Sequence, residues 1–270
     1  MARVDHDGAA MSLRGQQRGV ALALVIWFVA GMALLVSGIV AEARIDTRMA
    51  QLHYFRAQAA AAGDGALHLA LAAQFSRKQA GRAGLKSQLV YKVGRQQVFV
   101  RMIPGEWLVN VSEEPMPVLS ALFELSPSYT AATPRELAAS VVNYRGKDAL
   151  TAFFSPEDVL RVPGLDRGVY DAIRDYITVA NLSGARSAAE QPIAKRLAAI
   201  EAMMRGENTR VRDQVQHSAT SLRLDAIVEL GGQQWLRRRW VELEPAKDSQ
   251  LPWRILRSEA ARPLPRIADS

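Results

Sequence analysis

An apolar run near the start decides how this chain folds: residues Arg14 to Arg44 read RGQQRGVALALVIWFVAGMALLVSGIVAEAR. From Val20 to Ala41 it contains 22 residues and no charge. At about 1.5 Å per residue these form a helix of roughly 33 Å, which is enough to cross a bilayer core of about 30 Å. Apolar residues cover every face of that helix, unlike the one-sided helix of a soluble core. The run therefore predicts a transmembrane helix.

The flanking charges predict the orientation of this helix. Arg3, Arg14 and Arg18 lie on its short N-terminal side. Basic residues hold a short flanking segment in the cytoplasm, and the acidic residues beside them contribute little to that preference. We therefore expect a single-pass protein of the inner membrane, with a cytoplasmic N-terminus and the residues after Ala41 in the periplasm.

Three fates remain open for the apolar helix. It can be a permanent anchor, or an ordinary signal peptide cut after the small-x-small triplet Ala41-Glu42-Ala43, although the apolar region of such a peptide usually has about 7–15 residues. The third arises from the basic-glycine-apolar junction at Gly19. This junction resembles the class III signal of type IV pilins and type II secretion pseudopilins, which a prepilin peptidase cuts after the glycine. The cut would fall between Gly19 and Val20 and leave the helix on the mature protein.

Composition describes the rest as a globular protein with a basic surface. Of 270 residues, 49% are hydrophobic and 23% are charged, and the formal net charge is +7. Lysine and arginine are spread along the chain without a dense block, which favours a solvated basic surface over a nucleic-acid patch. No cysteine is present, so disulfides and thiol chemistry are excluded.

The order of predicted elements is a long helix, strands, a helical block, and strands again. The long helix should end near Ala80-Gly81, and Gly63 and Gly65 are read as a bend within it. This order predicts an α+β fold: a long N-terminal transmembrane helix, a pilin-like antiparallel sheet, and an inserted all-α domain with a helix-hairpin-helix-like unit. The predicted divisions are a basic leader (1–19), a membrane and assembly helix (20–81), a β domain (82–114 and 213–245), a helical insertion (115–212) and a loosely ordered tail (246–270).

Local signals place several elements. Thr133-Pro134-Arg135-Glu136 and Ser155-Pro156-Glu157-Asp158 both read as capping boxes with proline at the first helical position, and Phe154 and Val159 as a hydrophobic staple across the second. A later helix should present Val169, Tyr170, Ile173 and Ile177 on one face. Gly231-Gly232 predicts the turn of a hairpin. The run Arg237-Arg238-Arg239 is read as a charged stretch that protects a sheet edge.

The hairpin VLRVPGLDRGVYDAIRDYI has two interpretations. In DNA-binding helix-hairpin-helix units the turn commonly reads Pro-Gly-x-Gly, and its bare amides receive a phosphate. Asp166 stands here in place of the second glycine, and Asp171 and Asp175 add negative charge nearby. Packing or protein contact is therefore favoured over nucleic-acid binding.

The same hairpin resembles the signature of K-type minor pseudopilins of the type II secretion pathway. The matching residues are, in order, Leu160, Val162-Pro163-Gly164-Leu165, Tyr170 and Arg174-Asp175-Tyr176-Ile177-Thr178. The segment GEWLVNVSEEPMPVLSALFEL is similar to another part of that family, and with the N-terminus and the last strands the likeness spans most of residues 14–243. Pilins commonly carry a glutamate at the fifth mature position, which the K-type subunit usually lacks; counted from Val20, that position is Leu24.

The resemblance implies a structural role and no enzymatic activity. It implies a subunit at the tip of the periplasmic pseudopilus that helps initiate or limit assembly for protein export. The implied partners are other minor pseudopilins, the prepilin peptidase and the inner membrane, and methylation is implied as well. Two alternatives stay open: a membrane-tethered DNA-binding protein, and a secreted periplasmic protein with an ordinary signal peptide.

No catalytic residue and no cofactor site can be assigned from the sequence. The four histidines (His6, His53, His68 and His217) lack zinc spacing, and no nucleophile elbow, P-loop or dinucleotide fingerprint occurs. Most of the acidic residues Glu157, Asp158, Asp166, Asp171 and Asp175 are explained as caps and solvated helix faces. Members of the K family can bind calcium in their globular domain, but no calcium motif matches here residue by residue, so no metal ligands are assigned.

Overall fold

The computed structural model describes residues 12–80, 85, 88–126, 132–145, 152–179, 192–205, 221–243 and 251–265; for residues 12–21, 39–41 and 78 it describes the helical backbone alone. The chain divides into two compact units, residues 1–55 and residues 56–270. Elements in the described residues confirm the predicted α+β class, since a long N-terminal helix, an antiparallel sheet and further helices follow one another.

The helices and strands occur in the predicted order. The helices are α1 (Ser12–Gln79), α2 (Met116–Phe123), α3 (Pro134–Tyr144), α4 (Arg167–Ile173) and α5 (Ile193–Arg205), with 3₁₀ turns at Gly105–Trp107 and Pro156–Arg161. The strands are β1 (Gln88–Val93), β2 (Gln96–Pro104), β3 (Val109–Asn110), β4 (Ile177–Thr178), β5 (Ser221–Leu230), β6 (Gln233–Glu242), β7 (Arg254–Ser258) and β8 (Arg262–Pro263). We call residues 116–205 the helical block and residues 251–265 the C-terminal segment.

The main sheet has the order β1-β2-β5-β6-β7, with β8 pairing β6 beyond β7. Its pairs are antiparallel, and the β5–β6 hairpin turns at Gly231 and Gly232, whose positive φ angles of 61° and 72° fit the turn predicted for two glycines. β3 and β4 form a separate parallel pair. This pair joins the segment that follows α4 to the segment that follows β2.

Two expectations about the sheet are wrong. The C-terminal segment is not a loose tail, because β7 and β8 both pair with β6. As a result β6 is an interior strand, so Arg237-Arg238-Arg239 does not protect an edge. The interior position of β6 could not be predicted from its own sequence, because three consecutive arginines are typical of an exposed edge. It depends on pairing with the proline-rich C-terminal segment.

The helical block has its own core and also packs on the sheet. Leu119, Leu122, Leu137, Val141 and Ile173 are among the fully buried residues of the core within the block. A second cluster lies between α5 and one face of the sheet; it contains Ile103, Trp107, Leu108, Ala199, Ile200, Met203 and Trp240. This second cluster fixes the block against β2 and β6 by apolar burial.

The capping predictions are confirmed at one helix and altered at the other. At α3, Thr133 N–H donates to Glu136 Oε2 at 2.7 Å and Glu136 N–H donates to Thr133 Oγ1 at 3.3 Å, which closes the predicted box. Asp158 accepts from the Ser155 amide at 2.8 Å, but the residues that follow form a 3₁₀ turn, not an α-helix. The staple is wrong, because Phe154 is 79% exposed while Val159 is buried.

The helix predicted after the hairpin is shorter than expected. α4 ends at Ile173, and Ile177 lies in β4 instead of continuing the helix. All four of the residues assigned to one face, Val169, Tyr170, Ile173 and Ile177, are nevertheless buried. The apolar residues were identified correctly, and the change from helix to strand at position 177 was missed.

Candidate functional site

The predicted processing junction lies within α1. Gly19 and Val20 are both in the helix Ser12–Gln79, and their side chains fall outside the described ones. The position of this junction in a helix does not test whether a peptidase cuts there.

The apolar run of α1 is exposed wherever its side chains are described. An 18-residue window has a mean hydropathy of 2.5 and none of it is buried, so by length and composition the helix could cross a membrane. Leu24 is 67% exposed and Trp27 is 83% exposed. Exposing so many large apolar side chains to water is unfavourable. Lipid chains, or the apolar faces of other helices, would cover them.

Farther along, α1 docks on the sheet through small residues. Ala59, Ala62, Ala66 and Ala70 are buried at helical spacing. A Cβ atom at Gly63 would lie 2.7 Å from Arg237 Cβ, closer than carbon atoms approach. Gly63 is therefore a close-contact residue between α1 and β6. α1 is helical through both glycine positions, so the bend expected there would lie within a continuous helix and stays a prediction.

Asp64 adds a charged contact to this docking surface. Its Oδ1 accepts from Arg237 Nε at 2.8 Å and its Oδ2 from Arg237 Nη2 at 3.1 Å. Oδ2 also pairs with Arg239 Nη2 at 2.6 Å. A two-point contact between a carboxylate and a guanidinium is directional as well as attractive, so it sets the register of the helix on the strand.

On the opposite face of the sheet, a buried ion cluster begins at Asp225 on β5. Arg238, its cross-strand neighbour on β6, donates to Asp225 through Nε at 2.7 Å and Nη2 at 3.0 Å. Arg223 donates to Asp225 Oδ2 at 3.0 Å. All three side chains are at most 4% exposed, so each charge depends on the others for compensation.

Asp175 connects this cluster to the helical block. Its carboxylate pairs with Arg238 Nη1 at 2.7 Å and with Arg262 of the C-terminal segment at 3.6 Å. Its backbone carbonyl accepts a hydrogen bond from Arg223 Nη1. Asp175 follows α4 directly, so the cluster ties the end of the hairpin to β5, β6 and β8. For Asp175, the prediction of a solvated helix face is wrong.

The pKa values of Asp175 and Asp225 are shifted in the direction that keeps both carboxylates charged within the ion cluster. Burial alone would raise the pKa of Asp175, but the guanidinium groups of Arg238 and Arg223 outweigh burial and lower it to about 2. Burial also opposes ionisation of Asp225, and the same two arginines again lower its pKa. For Glu259, burial dominates and raises the pKa despite Arg238 and Arg257 nearby. Asp175 and Asp225 are therefore ionised at neutral pH, whereas burial disfavours the charged form of Glu259.

The hairpin turn is arranged for packing. Gly164 has φ of 88°, a left-handed value that favours glycine. Asp166 caps α4, and its Oδ1 accepts from the Val169 amide at 2.9 Å. A phosphate approaching this turn would meet a carboxylate where the bare amides of a DNA-binding hairpin should be.

The other acidic residues singled out in the sequence have ordinary partners. Asp171 pairs with Arg167 and Arg174 at the surface, and Glu157 pairs with Arg257 at 2.6 Å. Among the described residues, no group of three or more His, Asp or Glu side chains could hold a metal ion. His53 is exposed on α1, while His68 Nδ1 lies 2.7 Å from the Asp64 carbonyl; His6 and His217 fall outside the described residues.

Comparisons with known proteins add a likeness of shape to solved structures. No protein family model matches the chain. No curated protein matches it either. The structure is similar to a chain of "The Crystal Structure of the GspK-GspI-GspJ complex from enterotoxigenic Escherichia coli Type 2 Secretion System", with a TM-score of 0.43 and 12% identity over 79% of this chain and 98% of that chain. A match at this level carries no argument about function.

Proposed function

We propose that this chain is a structural minor pseudopilin of the K type, which serves at the tip of the periplasmic pseudopilus of a type II secretion system. One observation carries the proposal. A single helix, α1, exposes an apolar membrane-length run at Leu22 and beyond, and buries small residues against an antiparallel sheet in its distal part. Such a helix can be held in a bilayer and later packed against other helices, while the sheet and the helical block remain outside the membrane.

The absence of an acid at Leu24 supports a place at the tip. In an assembling pilin, the carboxylate at this position would compensate the N-terminal ammonium of a neighbouring subunit, because an unpaired charge is costly in a low-dielectric bundle. A subunit with no neighbour ahead of it has no ammonium to compensate. Leu24 keeps this part of the helix apolar, as a terminal subunit requires.

The helical block supports a role in ending assembly. The block is fixed to the sheet both by the apolar cluster around Trp240 and by the ion cluster at Asp225. A rigid block of this kind can obstruct the addition of a further subunit on its side. We propose that this is how the chain helps initiate or limit the pseudopilus.

Processing and location follow from the N-terminal residues. We propose that a prepilin peptidase cuts between Gly19 and Val20 on the cytoplasmic side of the inner membrane, and that the rest of the chain faces the periplasm. Arg14 and Arg18 supply the cytoplasmic positive charge. The proposed partners are other minor pseudopilins of the same system, and the role requires no enzymatic chemistry. Calcium remains without assigned ligands.

The DNA-binding alternative is disfavoured by Asp166. Its carboxylate already accepts from the Val169 amide, and the nearest basic residues on α4 and after it, Arg167 and Arg174, are engaged by Asp171. A mobility-shift measurement with duplex DNA at low salt should show no binding beyond the salt-sensitive attraction expected of a chain with net charge +7.

Co-isolation tests the assembly role. The full-length chain, extracted in mild detergent from cells that contain the secretion system, should co-purify with the other minor pseudopilins in fixed ratio. Cells that lack the chain should retain type II substrates in the periplasm, and the full chain should restore their export. A variant in which Asp171 is replaced by Asn, at an exposed position of the helical block, is the matched control and should behave as the wild type. Normal export without the chain, together with no co-isolation, would contradict the proposal.

A further inference from the structure

The three arginines of β6 contact different parts of the molecule on the two faces of the sheet. Successive residues of a strand point to opposite faces. Arg237 and Arg239 accordingly pair with Asp64 on α1, whereas Arg238 between them pairs with Asp225 and Asp175 on the other face. One short piece of one strand thus holds both the docked helix and the helical block.

The C-terminal segment connects the two faces a second time. The Glu259 carbonyl accepts a hydrogen bond from Arg237 Nη1, and the Glu259 amide donates to the Arg238 carbonyl at 3.0 Å. Two residues earlier, Arg257 lies 5.1 Å above the Trp240 ring and pairs with Glu157 of the helical block at 2.6 Å. Polar contacts therefore run without a break from Asp64 through the Arg237 side chain and Glu259 to the backbone of Arg238.

Burial makes this arrangement sensitive to the loss of any member. Asp225, Arg223 and Arg238 are almost fully buried, and water cannot replace a missing partner there. Arg237 and Arg239 are only about one-seventh exposed, at 14% and 13%. A shift of β6 that improves the contacts on one face must therefore change the contacts on the other, because the same backbone carries both.

We propose that β6 and the C-terminal segment couple the docking of α1 to the stability of the helical block. Weakening the contact at Asp64 should loosen the end of the hairpin at Asp175, and weakening Asp175 should loosen α1 around Asp64. Thermodynamic linkage requires the coupling to act in both directions, so neither effect can occur without the other. The coupling goes beyond the pseudopilin role and does not depend on it; in an assembling subunit it would let the packing of α1 alter the block.

Hydrogen exchange measured by mass spectrometry on the full-length chain in detergent tests this coupling. In Asp64→Asn, we expect faster exchange both in α1 near Ala59–Leu71 and in residues 171–178 of the block, by about two- to thirty-fold, the range found for coupled sites. Asp175→Asn should likewise speed exchange in the α1 segment, because the coupling acts in both directions. Amides of α3 should change less than those of residues 171–178, because α3 meets the end of the hairpin through the apolar core that it shares with Ile173.

Two further variants keep the test decisive. Arg135→Gln changes an exposed charge at the start of α3 and should leave both segments unchanged. Arg237→Lys keeps the charge but loses the two-point contact with Asp64, so it replaces Asp64→Asn if that variant fails to fold. Faster exchange confined to α1, or a uniform increase that includes α3, would overturn the proposal.

Discussion

The close approach of α1 to β6 at Gly63 gives the sharpest stability prediction. In Gly63→Ala, the new methyl carbon would sit 2.7 Å from Arg237 Cβ and 3.0 Å from Arg237 Cγ. Arg237 Cβ is attached to the backbone of β6, which is paired on both sides, so it cannot move aside as the end of a flexible side chain could. The helix must therefore retreat by about 1 Å to reach an ordinary carbon–carbon contact.

Three contributions set the size of the effect. Overpacking costs about 1–3 kcal/mol, and a retreat of this size lengthens the Asp64–Arg237 contacts, which adds about 1 kcal/mol. The better helix propensity of alanine returns about 1 kcal/mol. The net loss is about 1–3 kcal/mol, and for a unit of this size it lowers the melting temperature by roughly 2–12 °C.

Thermal unfolding of the full-length chain in detergent, followed by circular dichroism, measures this loss. Gly65→Ala is the matched comparison, because a Cβ atom there would lie 3.2 Å from Val93 Cγ1, a contact that a shift of a few tenths of an ångström relieves. Gly65→Ala should therefore cost less than Gly63→Ala and can even stabilise the helix. If Gly63→Ala melts at or above the wild-type temperature, or Gly65→Ala is the more damaging change, the docking geometry is wrong.

Three further predictions concern the helical block and the ion cluster. Arg238→Met should cost about 3–5 kcal/mol in chemical unfolding because it leaves Asp225 with less compensation, whereas Arg167→Met at the surface should cost at most about 1 kcal/mol; equal effects would contradict the burial argument. Asp175 has a folded pKa of about 2 against an ordinary 3.8, so its carboxylate should stabilise the fold by about 2 kcal/mol above pH 4 and lose this as the pH falls towards 2. The difference in unfolding free energy between wild type and Asp175→Asn should shrink over that range, and a constant difference would refute the assignment. Thr133→Ala should lose about 0.5–2 kcal/mol through the α3 cap, measured in the same denaturant series, and no loss would mean that the cap is replaced by water.

Local signals in the sequence predicted most of the secondary structure. Capping at Thr133 needs only four consecutive residues, and the Gly231-Gly232 turn needs only the glycines and the alternation around them. The apolar run of α1 is visible by length alone. Each of these features depends on neighbours in sequence, so no knowledge of the tertiary fold was required.

The features that were missed depend on contacts between distant residues. A glycine pair in a helix can mark a bend or a close contact, and only the position of Arg237 shows that Gly63 makes a close contact. The arginine run could not be placed inside the sheet without the pairing of β7 and β8. Asp175 likewise looked like a surface acid, since its partner Arg238 lies more than sixty residues away in the chain.

The mass of the mature protein tests the central claim most directly. Intact-protein mass spectrometry should be applied to the membrane-extracted chain from cells with and without a prepilin peptidase, with Gly19→Leu as the variant and Gly15→Leu as its control. We predict a chain that begins at Val20 only when the peptidase is present, for the wild type and Gly15→Leu but not for Gly19→Leu. A mature chain that begins just after Ala43, or one that is never cut, would contradict the pseudopilin account.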